Sequence, residues 1–259
     1  MKQFGDTPAH LHKRQLKKHG YTVLKDFFSV EERERFRLAG NAAFEGETQG
    51  CRDYSNDVAR FIISDAVGVQ LSNALWIGQH QSVAIEFISS IYSGVVAQDL
   101  ASAYLGPRAI FGARLQLVHS RHLNPMPSVI PYVPHFDRVR TLKFYVYLND
   151  VQRTGGHLYI GDTYWVDRSE AIRLKYKQAG YSYLKIPDDA LKGYDGDFRK
   201  VEASVGDIVV FDSSQPHFHG AVHPGHERRV LILEVQSFDE VMYGYNTALQ
   251  AGVSAIAVG

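Results

Sequence analysis

A histidine and an aspartate two residues apart, His135 and Asp137, lie in the run Val133-Pro134-His135-Phe136-Asp137. If that run is extended, side chains at i and i+2 leave the backbone on the same side, so an imidazole nitrogen and a carboxylate oxygen converge on one point. One distant histidine would complete a 2-His-1-carboxylate set, which suits non-heme Fe(II) and leaves one side of the metal open. Some eighty residues on, the stretch Gly206-Asp207-Ile208-Val209-Val210-Phe211-Asp212-Ser213-Ser214-Gln215-Pro216 delivers His217, with His219 two positions later. In a strand the two histidines face the same side, and either could be the third ligand. The next strand carries adjacent arginines, Arg228 and Arg229, of which alternation sends only one inward. An arginine facing such a site offers a permanently charged planar fork for a carboxylate.

These residues must be held by elements that the rest of the chain announces. Residues 11–19, LHKRQLKKH, read as a short helix closed by Gly20, and Tyr21-Thr22-Val23-Leu24 as a strand. Ser29 stands three residues before Glu32, the spacing of a capping box, and opens a charged helix with Phe36 on its inner face. From 57 to about 105 the pattern predicts helix, with Val58, Phe61, Ile62 and Ala66, then Ala84, Phe87, Ile88, Ile91, Tyr92 and Val95, at helical spacing before Gly106-Pro107. The remainder is mostly strands: Ile110-Phe111, Leu115 to Val118, 141–148, His157 to Ile160 after Gly155-Gly156, 208–212 and 228–236. Crossover helices are missing between them, which favours a sandwich or barrel over a parallel α/β sheet.

Three further segments frame the ligands. Pro125, Pro127, Pro131 and Pro134 stiffen the stretch from His122 to Pro134, just before His135. The segment 162–196, with Tyr164, Trp165, Tyr176, Tyr181, Tyr183 and Tyr194, is longer than an ordinary connector and is expected to form a lid. Residues 237–259 make a small, apolar tail.

The chain has 259 residues, 45% hydrophobic and 22% charged, which is ordinary for a globular protein and argues against disorder. Lysine plus arginine and aspartate plus glutamate both number 28, so nothing in the balance advertises nucleic acid or an anionic membrane as partner. The basic group Lys13, Arg14, Lys17 and Lys18 reads as the solvated face of the first helix. Cys51, the single cysteine, excludes an internal disulfide and fits a reducing compartment. No signal peptide opens the sequence and no apolar run approaches the ~18 residues of a membrane span, so a cytoplasmic location is expected.

In order, His135-Phe136-Asp137, then Tyr147-Leu148-Asn149-Asp150 followed by Gly155-Gly156-His157-Leu158, then Gly206 to His217 and an arginine on the next strand, resemble the phytanoyl-CoA dioxygenase family. The opening HGYTVLKDFFSVEE at 19–32 is similar to that family's usual lead-in, so the likeness runs from about residue 11 to 236. The resemblance implies a mainly β fold with flanking α, a double-stranded β-helix (jelly roll, cupin-like) with N-terminal helices packed on the sheet. It implies one domain over 1–259: a helical lead-in at 1–107, a jelly-roll core at 108–236 interrupted by the 162–196 lid, and the tail.

For function, the resemblance implies an Fe(II)- and 2-oxoglutarate-dependent dioxygenase that uses O2, releases succinate and CO2, and hydroxylates a small-molecule substrate. The family's spacing makes His135, Asp137 and His217 the iron ligands and Arg228 the partner of the far carboxylate of 2-oxoglutarate. Gln116, Lys143 and Tyr145 lie where the family places further cosubstrate contacts, and His119 shares that strand with Gln116. An amino acid, a sugar-like molecule or a natural-product intermediate is the expected substrate. Related halogenases carry a small residue where Asp137 stands, so halogenation is not expected. Desaturation, cyclisation or epimerisation would use the same site, and a non-redox metal- or sugar-binding jelly roll is the reading from another class. His157 and Ile160-Gly161-Asp162-Thr163 depart from the family's pattern.

Overall fold

The computed structural model describes residues 9–45, 52–55, 59–65, 91, 95–121, 132–137, 140–161, 184–185 and 198–237. Helix α1, Ala9–His19, buries His12 and Leu16, four residues apart and therefore on one face, while its lysines point to solvent. It ends where Gly20 takes φ 74° and donates its N–H to the Leu16 carbonyl at 2.9 Å. Strand β1, Tyr21–Leu24, follows. Helix α2, Val30–Glu45, is opened by the reciprocal bonds of a capping box: the Glu32 N–H donates to Ser29 Oγ at 3.2 Å and the Ser29 N–H to Glu32 Oε2 at 2.8 Å.

Strands β2, Arg52–Ser55, and β3, Ala59–Asp65, precede helix α3, Val95–Leu105. Next come β4, Ala109–Arg121, β5, His135–Phe136, β6, Thr141–Tyr147, and the single turn α4, Val151–Thr154. The chain closes with β7, Leu158–Gly161, β8, Leu184–Lys185, β9, Phe198–Lys200, β10, Ile208–Asp212, β11, His217–His219, and β12, Glu227–Ser237.

Among the described residues these strands make two sheets, a larger one ordered β1-β10-β6-β12-β4-β3-β2 and a smaller one ordered β8-β5-β11-β7-β9. All their pairings are antiparallel. Strands β6, β10 and β12 of the larger sheet are buried on both faces, and alternation divides their residues between two cores. Leu142, Phe144 and Val146 of β6, Ile208 and Val210 of β10, and Leu231, Leu233 and Val235 of β12 pack on the helical layer of Leu16, Phe28, Phe36 and Leu100. Tyr145 and Tyr147, Val209 and Phe211, and Val230 and Ile232 face the other way and meet Leu158 and Ile160 of the smaller sheet. The expected jelly roll with helices packed on one sheet is the fold observed.

That alternation exposes an anomaly. Lys143 on β6, and Arg228 and Glu234 on β12, share the phase of the inward-facing apolar residues and are buried. Charges on the inner wall of a jelly roll need partners there, because an unpaired buried charge is costly.

The helical reading of 57 to about 105 is corrected in part. Residues 59–65 form β3 and pair with β4 over their whole length, from Ala59 opposite Ser120 to Asp65 opposite Arg114. The apolar run Phe61-Ile62-Ile63 is too short for periodicity to separate strand from helix, and its β-branched content suits the pleated sheet it joins. The sheet thus begins before residue 108, inside the stretch expected to be helical support. Helix α3 agrees with the end of that stretch, while Cys51, Val58, Ala66, Ala84, Phe87, Ile88 and Tyr92 lie outside the described residues. The same holds for the tail from 238 and for most of 162–196, of which Leu184–Lys185 is described and forms β8 beside β5.

Candidate active site

His135 of β5 and His217 of β11 are direct cross-strand partners, with ring centroids 4.4 Å apart. Asp137 follows β5 immediately, and its N–H donates to the Ser213 carbonyl at 2.9 Å. One ligand atom from each of His135, Asp137 and His217 lies within 4.8 Å of the others, a separation one metal ion can span.

The hydrogen bonds decide which nitrogens are available. His135 Nδ1 lies 2.9 Å from the Val133 carbonyl and His217 Nδ1 lies 2.8 Å from the Gln215 carbonyl. A carbonyl oxygen only accepts, so in both rings Nδ1 carries the proton and Nε2 keeps its lone pair for a metal. Burial lowers both imidazole pKa values; for His217, burial and the neighbouring His135 ring outweigh Asp137 and bring it to about 3. Burial pushes the Asp137 carboxyl up, but the Lys143 ammonium and the two histidines overcome this and hold it at about 2. At neutral pH the three groups are already two neutral imidazoles and one carboxylate, the forms that coordinate.

His219 has the opposite tautomer. Its Nδ1 lies 2.6 Å from Nη1 of Arg228, which can only donate, so Nδ1 is the acceptor and Nε2 bears the hydrogen. His219 stacks on Tyr145 with centroids 5.9 Å apart, on the same side of β11 as His217, while Phe218 faces away and stacks on Tyr159. The structure therefore groups His217, and not His219, with His135 and Asp137.

Arg228 is buried on the inner wall, and Arg229 points outward, where its side chain pairs with Glu227 at 2.8 Å and its N–H with Asn149. The Arg228 stem crosses Gly156: a Cβ there would lie 2.9 Å from Arg228 Cδ, and Gly156 has φ 77°. A glycine is thus required twice over, for the turn and for the passage of the arginine.

Lys143 reaches Asp137 Oδ2 at 2.6 Å and Glu234 Oε1 at 3.4 Å. Tyr145 lies in the fields of Lys143, Arg228, Asp137 and Glu234, and burial raises its hydroxyl pKa against the pull of the two cations. Gln116 is paired in register with the inward-facing Ile232, and His119 with the outward-facing Arg229.

Sequence reasoning missed a clasp behind the ligands. Asp212, fully buried at the end of β10, accepts from Tyr104 Oη at 2.9 Å and Arg140 Nε at 2.8 Å through Oδ2, and from the N–H and Oγ of Ser214 through Oδ1. The Arg140 guanidinium also lies over the Tyr104 ring at 5.1 Å. The next residue, Ser213, donates its N–H to the Thr141 carbonyl and accepts from the Thr141 N–H. This network joins the segment after Asp137 to the turn before His217, so both ligand-bearing segments are tied to helix α3. An acidic residue ending the apolar run Ile208-Val209-Val210-Phe211 was the available signal. His157 lies away from the triad, 3.2 Å from Gln152 Oε1.

No family model matches the sequence, and no curated protein matches it either. The fold does have solved counterparts. SnoK, a non-heme alpha ketoglutarate dependent carbocyclase from nogalamycin biosynthesis, aligns with TM-score 0.62 at 15% identity, covering 90% of this chain and 87% of that one. The epimerase SnoN, solved with Fe3+, alpha ketoglutarate and nogalamycin RO, gives 0.60 at 13% identity, with 88% and 83% covered. EctD from S. alaskensis, solved with 2-oxoglutarate and 5-hydroxyectoine, gives 0.60 at 14% identity, with 92% and 80% covered. The chain shares the jelly-roll fold of these enzymes over most of its length.

Proposed function

We propose that this chain is an Fe(II)- and 2-oxoglutarate-dependent oxygenase of the phytanoyl-CoA dioxygenase type, acting on a small-molecule metabolite. One observation carries the reading: two imidazole Nε2 lone pairs and a carboxylate converge in a jelly roll whose inner wall also buries an arginine fork. A structural metal site or a sugar-binding module has no need for that arginine. The comparisons support the reading, because SnoN was solved with iron and alpha ketoglutarate and EctD with 2-oxoglutarate.

The donor set fits iron. His135, Asp137 and His217 would hold it, and their neutral imidazoles and ionised carboxylate would release no proton on doing so. Iron bound there would supply the activation of O2, so that one oxygen atom would go to succinate as 2-oxoglutarate loses CO2 and the other to a substrate C–H bond, giving an alcohol. The chain's own residues bind and orient. Arg228 takes the far carboxylate of 2-oxoglutarate, with His219 Nε2–H as a neighbouring donor. Tyr145, Phe211 and Ile160 line the inner wall and exclude water. Within the 162–196 segment, Leu184 and Lys185 form β8 and pair with the His135 strand, which supports a lid function for that segment.

Ring closure or epimerisation is the second reading of the outcome, favoured by the likeness to SnoK and SnoN. Product mass separates the cases: gain of one oxygen for hydroxylation, loss of two hydrogens for cyclisation or desaturation, no change for epimerisation.

The test is anaerobic addition of Fe(II) and then 2-oxoglutarate to the full chain. The visible charge-transfer band of the iron–oxo-acid chelate is expected in the wild type and absent in His135→Ala, while Arg228→Met should need at least tenfold more 2-oxoglutarate. No band in the wild type would overturn the reading.

A further inference from the structure

The two oxygens of Asp137 are not equivalent. Oδ2 is held by the Lys143 ammonium at 2.6 Å, and Oδ1 lies 4.0 Å from His217 Nε2, on the side where the ligand atoms gather. Lys143 is in turn fixed by its cross-strand partner: Glu234 stands directly opposite it in the β12–β6 register and lies 3.4 Å from its Nζ. Both residues are buried, so neither contact is the loose pairing of an exposed surface.

A carboxylate beside a divalent cation can bind through one oxygen or through both. In the site proposed above the difference decides whether the reaction has room. Three protein donors leave three positions of an octahedron, two for the oxo acid and one for O2. A second oxygen from Asp137 would close one of them. We infer that Lys143, held by Glu234, is a positioning residue that keeps Asp137 a one-oxygen ligand and so preserves the position the cosubstrate needs. The inference rests on the iron and 2-oxoglutarate reading.

The residue types suit this task. An ammonium is a compact charge with three donors, enough to satisfy Asp137 and Glu234 together. Stability alone does not account for the arrangement. A cation next to a metal ligand repels the metal, and well-packed apolar residues often replace a buried ion pair without loss of stability. The charge is placed where it weakens metal binding, which makes sense if its benefit is the geometry of the carboxylate.

The experiment uses Co(II) as the probe on the full chain, read by its visible d–d bands before and after 2-oxoglutarate, with circular dichroism reporting the fold. Lys143→Met is expected to bind Co(II) at least as tightly as wild type, to show a changed d–d spectrum before any 2-oxoglutarate is added, and to bind 2-oxoglutarate at least tenfold more weakly. Lys143→Arg, which keeps the charge and a donor, should restore the wild-type spectrum, and Glu234→Gln should shift it part of the way.

A Lys143→Met protein with an unchanged Co(II) spectrum and weaker 2-oxoglutarate binding would overturn the inference and make Lys143 a direct cosubstrate contact. Loss of Co(II) binding in both Lys143 variants would also overturn it, by showing a structural role. Should Lys143→Met fail to fold, an unaltered spectrum in Glu234→Gln would count against the inference. If the wild type binds Co(II) but its spectrum ignores 2-oxoglutarate, the oxygenase reading fails, while the cobalt-only spectra still report on Asp137.

Discussion

Both candidate ligand histidines commit their Nδ1 protons to the carbonyl two residues back, and both are buried as neutral rings. The cost appears as a pH dependence of the metal-free protein. His217 falls from an ordinary 6.5 to about 3 on folding, and His135, His219 and His12 also move down, each chiefly through burial. Between these values the unfolded chain binds the proton and the folded chain does not. The stability contributed by the neutral rings is therefore complete above pH 6.5 and is lost as pH falls. From pH 6 to 5, His217 alone should remove about 1 kcal/mol, with the other three adding in the same direction. Urea denaturation of the metal-free protein at pH 7, 6 and 5 checks this; a midpoint that holds steady would show the rings to be accessible. At this scale His135 and Asp137 were legible because a two-residue spacing in a strand is a strong geometric statement. The choice between His217 and His219 stayed open on geometry alone, since both occupy the same face of β11; the family's spacing pointed to His217, and the structure separates the two by the pairing of His217 with His135 and the bond of His219 to Arg228.

The next scale is that of segments, where the Asp212 clasp fixes the relation between the two halves of the ligand set. Its carboxylate joins α3, the residue before β6 and the turn into β11. Asp212→Asn leaves Arg140 and Tyr104 facing an amide; because the Arg140 side chain is 35% exposed, the loss is discounted from that of a fully buried pair to about 2 kcal/mol. A chemical-denaturation midpoint measures the loss. Metal affinity should fall with it, since the His217 turn and the Asp137 backbone bond to Ser213 would both slacken. The clasp was not legible because it joins residues far apart in sequence. Helix α1, β1 and the capping box of α2 were legible because each is decided by neighbours within four residues. β3 was misread for the complementary reason: its conformation is set by pairing with β4, some fifty residues downstream.

Taken whole, the molecule should feel a metal bound at the candidate site. A ligand that binds the folded state alone stabilises it by about 2.7 kcal/mol at a hundredfold excess over Kd, which for a chain of this size is a rise in Tm of about 5–10 °C. Thermal melts with and without Co(II) should show that rise in the wild type and lose it in Asp137→Ala; equal shifts in both would place the metal elsewhere. The jelly roll itself was legible in outline from strands without crossover helices and from the family likeness, while the strand order was not. What no stretch of sequence states is how the two sheets divide the work. The candidate ligand histidines hang from the smaller sheet, while Arg228, Lys143 and Tyr145 belong to the larger. Between them stands the apolar filling of Tyr147, Leu158, Ile160, Val230 and Ile232, which holds the faces roughly 10 Å apart. At the edge of that filling the two sheets meet through polar pairs: Lys143 of β6 reaches Asp137 at 2.6 Å, and Arg228 of β12 reaches His219 of β11 at 2.6 Å. The greasy interior acts as a gauge block for those pairs, and a methylene added or removed there should shift the distances at which they meet without altering any polar group.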